Sequence, residues 1–263
     1  MTTVNDILTC IDRLAPSFMK EKWDNVGLLC GSKNTPATKI LVALDPFEHV
    51  CREAADWGAQ LIVTHHPIIF QPLPSLTDET SIGRGIMELC RCGISAINAH
   101  TNLDSCPMGV NDELARILGL RDIEVTHPVG ADTEGRPFGL LRSGNVDEMP
   151  LEDFLAHVKA RLGTPTLRYA DGGRPVRRVA VGGGSCAGAM RQAIDDGCDT
   201  FVTADVKYNQ FWDARDLGLN LIDAGHFYTE NPICAVLASI LRDHFPDVEV
   251  KISETHGDCM KFY

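Results

Sequence analysis

The sequence is poor in cations and contains no long apolar run. Its 263 residues include 24 Lys and Arg against 36 Asp and Glu, which gives a formal net charge of −12. Nucleic acids and anionic membrane surfaces are bound through clustered cations, so neither is expected as the main partner. No apolar run approaches the ~20 residues of a membrane-spanning helix. The N-terminus also lacks the charged start and apolar core of a signal peptide, and we therefore predict a cytoplasmic protein.

The ten cysteines are not arranged as a zinc knuckle or a disulfide scaffold. Only Cys90 and Cys92 are close in sequence, and their C-x-C spacing differs from the paired C-x-x-C of zinc knuckles. The chain is also long enough to bury a core without disulfides. Four cysteines fall on helix-like apolar faces, and we expect them to be buried free thiols. They are Cys51, Cys90, Cys198 and Cys234.

Short apolar runs alternate with segments of helical spacing. The runs are continuous, which is typical of strands covered on both faces, and they predict an α/β fold with largely parallel sheets. They lie at Ile40–Leu44, Leu61–Thr64, Ile94–Ile97, Val179–Val181, Phe201–Thr203 and Leu219–Ala224. Further helices are predicted over 151–162 and from 232 to about 245, and a last strand over 248–253.

Two parts of the chain resemble each other. Glu53–Thr64 and Gln192–Thr203 both run from a helix end through Gly to an apolar strand, and Met87–His100 and Trp212–His226 do so again with a final His. Any helix-to-strand crossover shares some of these features, but here the order and spacing match over two successive units. The sequence therefore predicts two similar α/β lobes, a pseudo-repeat, over residues 1–126 and 127–263.

Two histidines that follow predicted strands have a carboxylate four residues later. His100 and Asp104 form H-x-x-x-D, and His226 and Glu230 form H-x-x-x-E. Within a helix such pairs share one face and can hold one cation. The two pairs occupy equivalent places in the lobes, which predicts a metal cleft between the lobes. The other histidines lack such context, and we interpret them as surface or structural residues: His49, His127, His157, His244 and His256.

A third strand end carries the adjacent histidines His65 and His66. Neighbouring side chains of an extended backbone point in opposite directions, so the two imidazoles cannot easily chelate one ion but can each hold one of two. The alternative is a pair of hydrogen-bonded surface or core histidines. Carboxylates would bridge ions about 3.5–4 Å apart. Imidazole and carboxylate ligands suit zinc, iron, manganese or nickel, so the sequence predicts a divalent-metal site at these strand ends.

Three other segments carry weaker signals. Trp23–Gly27 is interpreted as a helix exit and turn. Asp205 and Lys207 end the strand that matches the one before His65, and they would support the ligands, contact the substrate or pair in a solvated turn. A glycine-rich segment resembles a phosphate-cradling turn, although a tight strand-to-helix connection explains it equally well. It comprises Gly182, Gly183, Gly184 and Ser185.

Six segments together resemble the Nif-three-like dinuclear metal-centre family, also called GTP cyclohydrolase 1 type 2 homologues. They are WDNVGLLCGS (Trp23–Ser32), VTHHPIIFQPL (Val63–Leu73), AHTNLD (Ala99–Asp104), GVNDELA (Gly109–Ala115), TADVKYN (Thr203–Asn209) and DAGHFYTE (Asp223–Glu230). The resemblance spans nearly the whole chain and implies two similar lobes, two bound metals and a toroidal homo-hexamer. It assigns the metal ligands to His65, His66, Asp104, His226 and Glu230, with His100 as a lesser candidate.

The resemblance also implies an activity. It indicates a metal-dependent hydrolase in which a metal-activated water attacks a small, nucleotide-like substrate. The acidic chain has no evident basic clamp for a triphosphate, which disfavours GTP itself. A non-catalytic metal-binding or regulatory hexamer and a two-metal phosphodiesterase stay open as alternatives. The chain has no room for the domain that larger family members insert between the lobes, and its ending, HGDCMKFY, departs from the family pattern.

Overall fold

The computed structural model describes all 263 residues, which form thirteen strands and ten α-helices. The strands are β1 (Gly27–Cys30), β2 (Lys39–Ala43), β3 (Leu61–Thr64), β4 (Ser95–Asn98), β5 (Arg121–Thr126), β6 (Gly130–Ala131), β7 (Pro137–Phe138), β8 (Leu141–Met149), β9 (Arg168–Ala170), β10 (Val176–Val181), β11 (Thr200–Thr203), β12 (Asn220–Asp223) and β13 (Glu249–Ile252). The helices are α1 (Val4–Leu14), α2 (Glu48–Trp57), α3 (Ser81–Cys92), α4 (Thr101–Ser105), α5 (Val110–Ile117), α6 (Leu151–Leu162), α7 (Met190–Asp195), α8 (Tyr208–Asp216), α9 (His226–Glu230) and α10 (Ile233–His244). None of them is both long enough and apolar enough to cross a membrane.

The structure divides into two compact units. The first comprises Met1–Leu103 and Ile233–Asp258, and the second comprises Asp104–Pro232 and Cys259–Tyr263. This division differs from the single boundary predicted between residues 126 and 127. The C-terminal segment returns to the first unit because β13 pairs in parallel with β2 and α10 packs on both strands. Residues 121–126 belong to the second unit because β5 pairs with β8.

The first unit is built on a five-stranded mixed sheet in the order β1-β4-β3-β2-β13. Strands β2, β3 and β4 run parallel, and β1 pairs antiparallel with β4 at one edge. Every residue of β3 and β4 is buried, as expected for strands covered on both faces. Apolar side chains of α2 and α3 pack on this sheet, among them Val50, Ala54, Ile86 and Leu89.

The second unit contains a six-stranded mixed sheet in the order β5-β8-β10-β11-β12-β9. Strands β10, β11 and β12 run parallel, and β9 pairs antiparallel with β12 at the edge. Helix α6 has the predicted bounds and buries Phe154 and Val158 against Val179, Val181 and Val202 of the sheet. The predicted last helix and last strand are also confirmed as α10 and β13.

The two sheets share one connectivity, which confirms the prediction of two similar α/β lobes. In each sheet, three parallel strands follow one another through helical crossovers. The strand that precedes the three pairs antiparallel with the last of them, β1 with β4 and β9 with β12. The glycines after the matching helices α2 and α7, Gly58 and Gly197, have φ of 74° and 78°, where a side chain would be strained.

The predicted burial of four cysteines is confirmed for three of them. Cys51, Cys198 and Cys234 are buried, whereas Cys90 is exposed. The prediction for Cys90 is wrong because α3 turns Ile86 and Leu89 toward the core, and Cys90 lies beside that face.

Candidate metal centre

Three histidines come together at one edge of the first unit's sheet. His65 and His66 follow β3 and His100 follows β4, so the parallel pairing of these strands places them side by side. One ligating atom of each lies within 4.8 Å of those of the other two. The rings of His65 and His66 are 4.9 Å apart between centroids. The expectation that these two side chains point in opposite directions is wrong, because β3 ends at Thr64 and the pair lies beyond the regular strand.

The adjacent histidines are both oriented through Nδ1. His65 Nδ1 donates to the main-chain oxygen of Ala99 at 2.9 Å, and His66 Nδ1 donates to Oδ1 of Asp45 at 2.7 Å. An acceptor at Nδ1 fixes the ring and selects the tautomer in which Nε2 is the ligating atom, and metal-binding histidines are commonly held in this way. Asp45 lies two residues beyond the end of β2, so three neighbouring parallel strands contribute to this edge.

His100 is held by a buried carboxylate from the segment before β1. Asp24 Oδ1 accepts from His100 Nδ1 at 2.8 Å, and its Oδ2 accepts from the amide of Thr101 at 3.0 Å. Burial raises the pKa of Asp24, but the hydrogen bonds from His100 and Thr101 outweigh burial and hold that pKa at about 2. Asp24 is therefore an anion that orients His100. The interpretation of Trp23–Gly27 as a plain turn missed this role.

The second unit contributes a histidine with carboxylates on both ring nitrogens. Helix α9 begins at His226 and ends at Glu230, and His226 Nε2 lies 2.9 Å from Glu230 Oε2 on the shared face that the spacing predicted. His226 Nδ1 lies 2.7 Å from Oδ2 of Asp205. Burial lowers the pKa of His226, but its hydrogen bonds with Asp205 and Glu230 outweigh burial and raise that pKa to about 11. A cation that binds at Nε2 therefore has to displace a proton.

The backbone of Asp205 is in an unusual conformation. Its φ is 52°, in the left-handed region that a residue with a side chain seldom adopts. Such conformations cost on the order of 1–3 kcal/mol and are concentrated at functional sites. The hydrogen bond from His226 lowers the pKa of Asp205, which keeps it an acceptor for that histidine. Asp205 thus contacts the candidate ligand His226, and its role as a support of that ligand stays a prediction.

Asp104 and Glu230 are two buried carboxylates in close proximity. One oxygen of each lies within 4.8 Å of the other, and the residues are 7% and 4% exposed. Buried like charges this close repel each other unless a cation or a proton lies with them. Asn111 helps to fix the segment, because its Nδ2 donates to the main-chain oxygen of Asp104 at 3.2 Å. This arrangement suits a divalent metal ion.

The glycine-rich segment approaches the same carboxylate. A Cβ placed on Gly184, whose φ is +58°, would lie 1.9 Å from Glu230 Oε1 and 3.1 Å from His226 Nε2. The amides of Gly183 and Gly184 donate to Asn111 Oδ1 at 2.7 Å and to Thr229 Oγ1 at 3.0 Å. These two amides are therefore used within the protein, and the phosphate-cradle hypothesis stays a prediction that they do not support. The contacts explain the glycines by close approach instead.

The remaining candidate, Lys207, lies exposed before α8, where its amide donates to Oε1 of Gln210 at 2.8 Å. Three residues that orient candidate ligands were not predicted from the sequence: Asp24, Asp45 and Asn111. Asp45 directly follows a predicted strand next to the one before His65, and that position was a usable signal. Asp24 and Asn111 lie within conspicuous segments, but only tertiary contacts show what they orient.

The donor chemistry fits a divalent metal. The candidate groups contain imidazole and carboxylate side chains and no thiolate. Such ligands suit zinc, iron, manganese or nickel. Three of the four histidines are also oriented by carboxylates: Asp45 on His66, Asp24 on His100 and Asp205 on His226. Carboxylates placed in this way raise the basicity of metal-binding imidazoles.

The fold and these side chains define an α/β protein of two similar units with a candidate histidine–carboxylate metal site. Residues 2–258 match the family described as Duf34/NIF3 (NGG1p interacting factor 3). The chain belongs to the Duf34/NIF3 family.

Similar proteins cover the chain from end to end. A Clostridium perfringens protein named GTP cyclohydrolase 1 type 2 homolog is 36% identical over 98% of this chain and 99% of its own length. A protein of the same name from Lactococcus lactis is 33% identical over 99% of this chain and 98% of its own length. The crystal structure of a hypothetical protein from Staphylococcus aureus superposes with a TM-score of 0.93 at 31% identity and covers 99% of both chains. The protein is thus a homologue of proteins that carry the GTP cyclohydrolase 1 type 2 name.

Proposed function

We propose that this protein binds two divalent metal ions through His65, His66, Asp104, His226 and Glu230 and hydrolyses a small-molecule substrate. The proposal depends on how four histidines are hydrogen-bonded: His65, His66, His100 and His226. Each has an oxygen acceptor at Nδ1, and three of these acceptors are carboxylates. Structural histidines seldom form such a set, whereas metal ligands commonly do.

The residues of this chain have separable tasks in the proposed reaction. Asp45 and Asp205 hold the tautomers of His66 and His226 and raise their basicity. Glu230 Oε2 lies 2.9 Å from His226 Nε2, and the two side chains would together hold a cation that replaces the proton of His226. Divalent metals supply Lewis-acid polarisation and water activation to hydrolases. The names of the relatives favour a cyclohydrolase type of reaction on a nucleotide-like ring.

Metal content tests the site. The wild type, His66→Ala and Glu230→Ala are purified, each is loaded with zinc, iron(II), manganese or nickel, and bound metal is measured by elemental analysis. We expect two ions per chain in the wild type and a loss in both variants. His157→Ala is the matched control, because His157 contacts the main-chain oxygen of Leu118 in a helix packing contact. Unchanged metal content in both site variants would refute the proposed ligand set.

Turnover is tested separately. The metal-loaded protein is incubated with GTP, other nucleotides and phosphodiesters, and the products are separated by chromatography. A ring-opened product supports the cyclohydrolase reaction, and a cleaved phosphodiester supports a two-metal phosphodiesterase. Two bound metals without any product favour a metal-binding protein that does not turn over substrate. We also propose the homo-hexamer that the family resemblance implies, which light scattering after size-exclusion chromatography tests.

A further inference from the structure

Two large aromatic side chains lie against His100 in the first unit, and we call Trp23 and Phe70 the aromatic wall. The ring centroids of Trp23 and Phe70 are 5.8 Å apart, and each ring packs edge to face with His100, at 6.3 Å and 5.9 Å. Trp23 is nevertheless 59% exposed and Phe70 41% exposed. The aromatic wall therefore presents apolar ring surface to solvent directly beside the histidine cluster.

The aromatic wall rests on a backbone that is held in place. Asp24, the neighbour of Trp23, is buried and hydrogen-bonded to His100 and Thr101. Asn25 Nδ2 donates to the main-chain oxygen of Ile69 at 2.7 Å, which ties the segment of Trp23 to the segment of Phe70. Exposed rings on so fixed a backbone are preorganised for a ligand, because little conformational entropy is lost when it binds.

The chemistry around the aromatic wall favours a planar ring over a polyanion. The imidazole rings of His66 and His100 lie against the carboxylates of Asp45 and Asp24, and the ring of His100 also lies against the aromatic wall. A cavity of about 100 Å³ continues from Phe70 past His66 and is otherwise lined mostly by apolar side chains, among them Phe47, Ile68 and Ile82. Aromatic faces bind flat π-systems through stacking and edge contacts without requiring charge.

We propose that Trp23 and Phe70 are specificity-determining residues that hold a planar heteroaromatic ring of the substrate beside His65, His66 and His100. This inference rests on the proposed function, because it takes the histidine cluster as the place where the substrate reacts. It names the substrate class, a ring compound such as a nucleobase, and assigns recognition to the ring rather than to a phosphate.

Calorimetric titration tests the proposal. Zinc-loaded wild type is titrated with guanosine, adenosine and cytidine, and with ribose as the probe that lacks the ring. We expect at least one nucleoside to bind and ribose not to bind. Trp23→Ala and Phe70→Ala each lower the nucleoside affinity roughly ten- to hundredfold, the usual cost of losing one stacked ring. Trp23→Phe keeps most of the affinity, and Trp212→Ala, which removes an exposed Trp of the second unit, leaves it unchanged.

Two further measurements separate this inference from the proposed function. Trp23→Ala and Phe70→Ala retain the zinc content and the thermal unfolding temperature of the wild type, because neither ring is a ligand or is buried. If the wild type holds no zinc but binds a nucleoside through Trp23, the metal proposal fails and ring recognition stands. The inference is overturned if no nucleoside binds the wild type at millimolar concentration, if ribose binds equally well, or if both alanine variants bind as tightly as the wild type.

Discussion

Gly184 gives the sharpest test of the candidate metal centre, because its missing side chain is what lets the backbone approach Glu230. In Gly184→Ala the new Cβ would lie 1.9 Å from Glu230 Oε1, whereas real Cβ contacts essentially never fall below 3.0 Å. The carboxylate therefore has to retreat by about 1 Å, twice the displacement of about 0.5 Å that functional constellations tolerate. We expect the metal affinity to fall at least about tenfold, which corresponds to about 1.4 kcal/mol.

The substitution also strains the backbone, and a second glycine isolates that effect. Gly184 has φ of +58° and Gly163 has φ of +66°, but a Cβ on Gly163 meets nothing within 4 Å. Gly163→Ala should therefore lose only about 1 kcal/mol of unfolding free energy, the cost of a side chain in the left-handed region. Gly184→Ala should lose that amount plus about 1–3 kcal/mol for the crowded contact.

The assay compares the two variants with the wild type. Zinc affinity is measured by competition with a chromophoric chelator, and the free energy of unfolding by urea titration of metal-free protein followed by circular dichroism. We expect weak zinc binding for Gly184→Ala alone, with both variants folded. If Gly184→Ala bound zinc as tightly as Gly163→Ala, Glu230 would not be a ligand, and the assignment would have to be withdrawn.

Three further perturbations have defined outcomes. Asp45→Asn and Asp205→Asn should each lower the metal affinity about 10- to 100-fold, because each removes the carboxylate that orients His66 or His226. The control is Asp56→Asn, an exposed position where the metal affinity should not change. Chelator competition measures all three affinities. Arg142 is 1% exposed and holds Asp112 and the main-chain oxygens of Ser105 and Cys106, so Arg142→Met should cost about 3–5 kcal/mol in urea unfolding. Arg136→Met removes an exposed guanidinium from its pair with Asp132 and should cost under about 1 kcal/mol of unfolding free energy. If Arg136→Met and Arg142→Met lost equal unfolding free energy, burial would not explain the cost of removing Arg142. Burial raises the pKa of Glu53, but donors from Ser253, Glu254 and Thr255 outweigh burial and lower it from 4.5 to about 2. Because the folded pKa is the lower one, Glu53 stabilises the fold above pH 4.5 and this contribution disappears as the pH falls to about 2. Glu53→Gln should therefore cost about 1–3 kcal/mol at pH 7 and progressively less between pH 4.5 and pH 2, and a loss independent of pH would argue against an ionised Glu53.

The sequence predicts the α/β architecture well because its signals are local. The apolar runs at β3 and β11 are buried on all sides, and α6 has the bounds that its spacing predicts. The division into units is less predictable, because β13 pairs with β2 across some two hundred residues of sequence. No local sequence pattern indicates such a distant pairing. Cys90 shows the same limit on a smaller scale, since one position along α3 separates it from buried Leu89.

The candidate ligands and Asp205 could be found from sequence, but which histidine each supporting carboxylate orients could not, and the repeat explains why. In the aligned segments Asp205 stands close to the place of His65 and His66, at the end of the matching strand. The first unit has ligand candidates there, with His66 oriented by Asp45 from the preceding strand end. The second unit has the orienting carboxylate at that place and the histidine, His226, after the following strand. In both units a carboxylate that follows one parallel strand orients a histidine that follows the next strand. In the second unit this carboxylate–histidine pair lies one strand later in the order of parallel strands than in the first unit. A comparison of equivalent positions pairs His100 with His226 and cannot reveal this shift, because His100 takes its carboxylate, Asp24, from the segment before an antiparallel strand. The corresponding sheet edge thus carries these residues in each unit, and side-chain geometry decides which residue at that edge is a ligand candidate and which is its support.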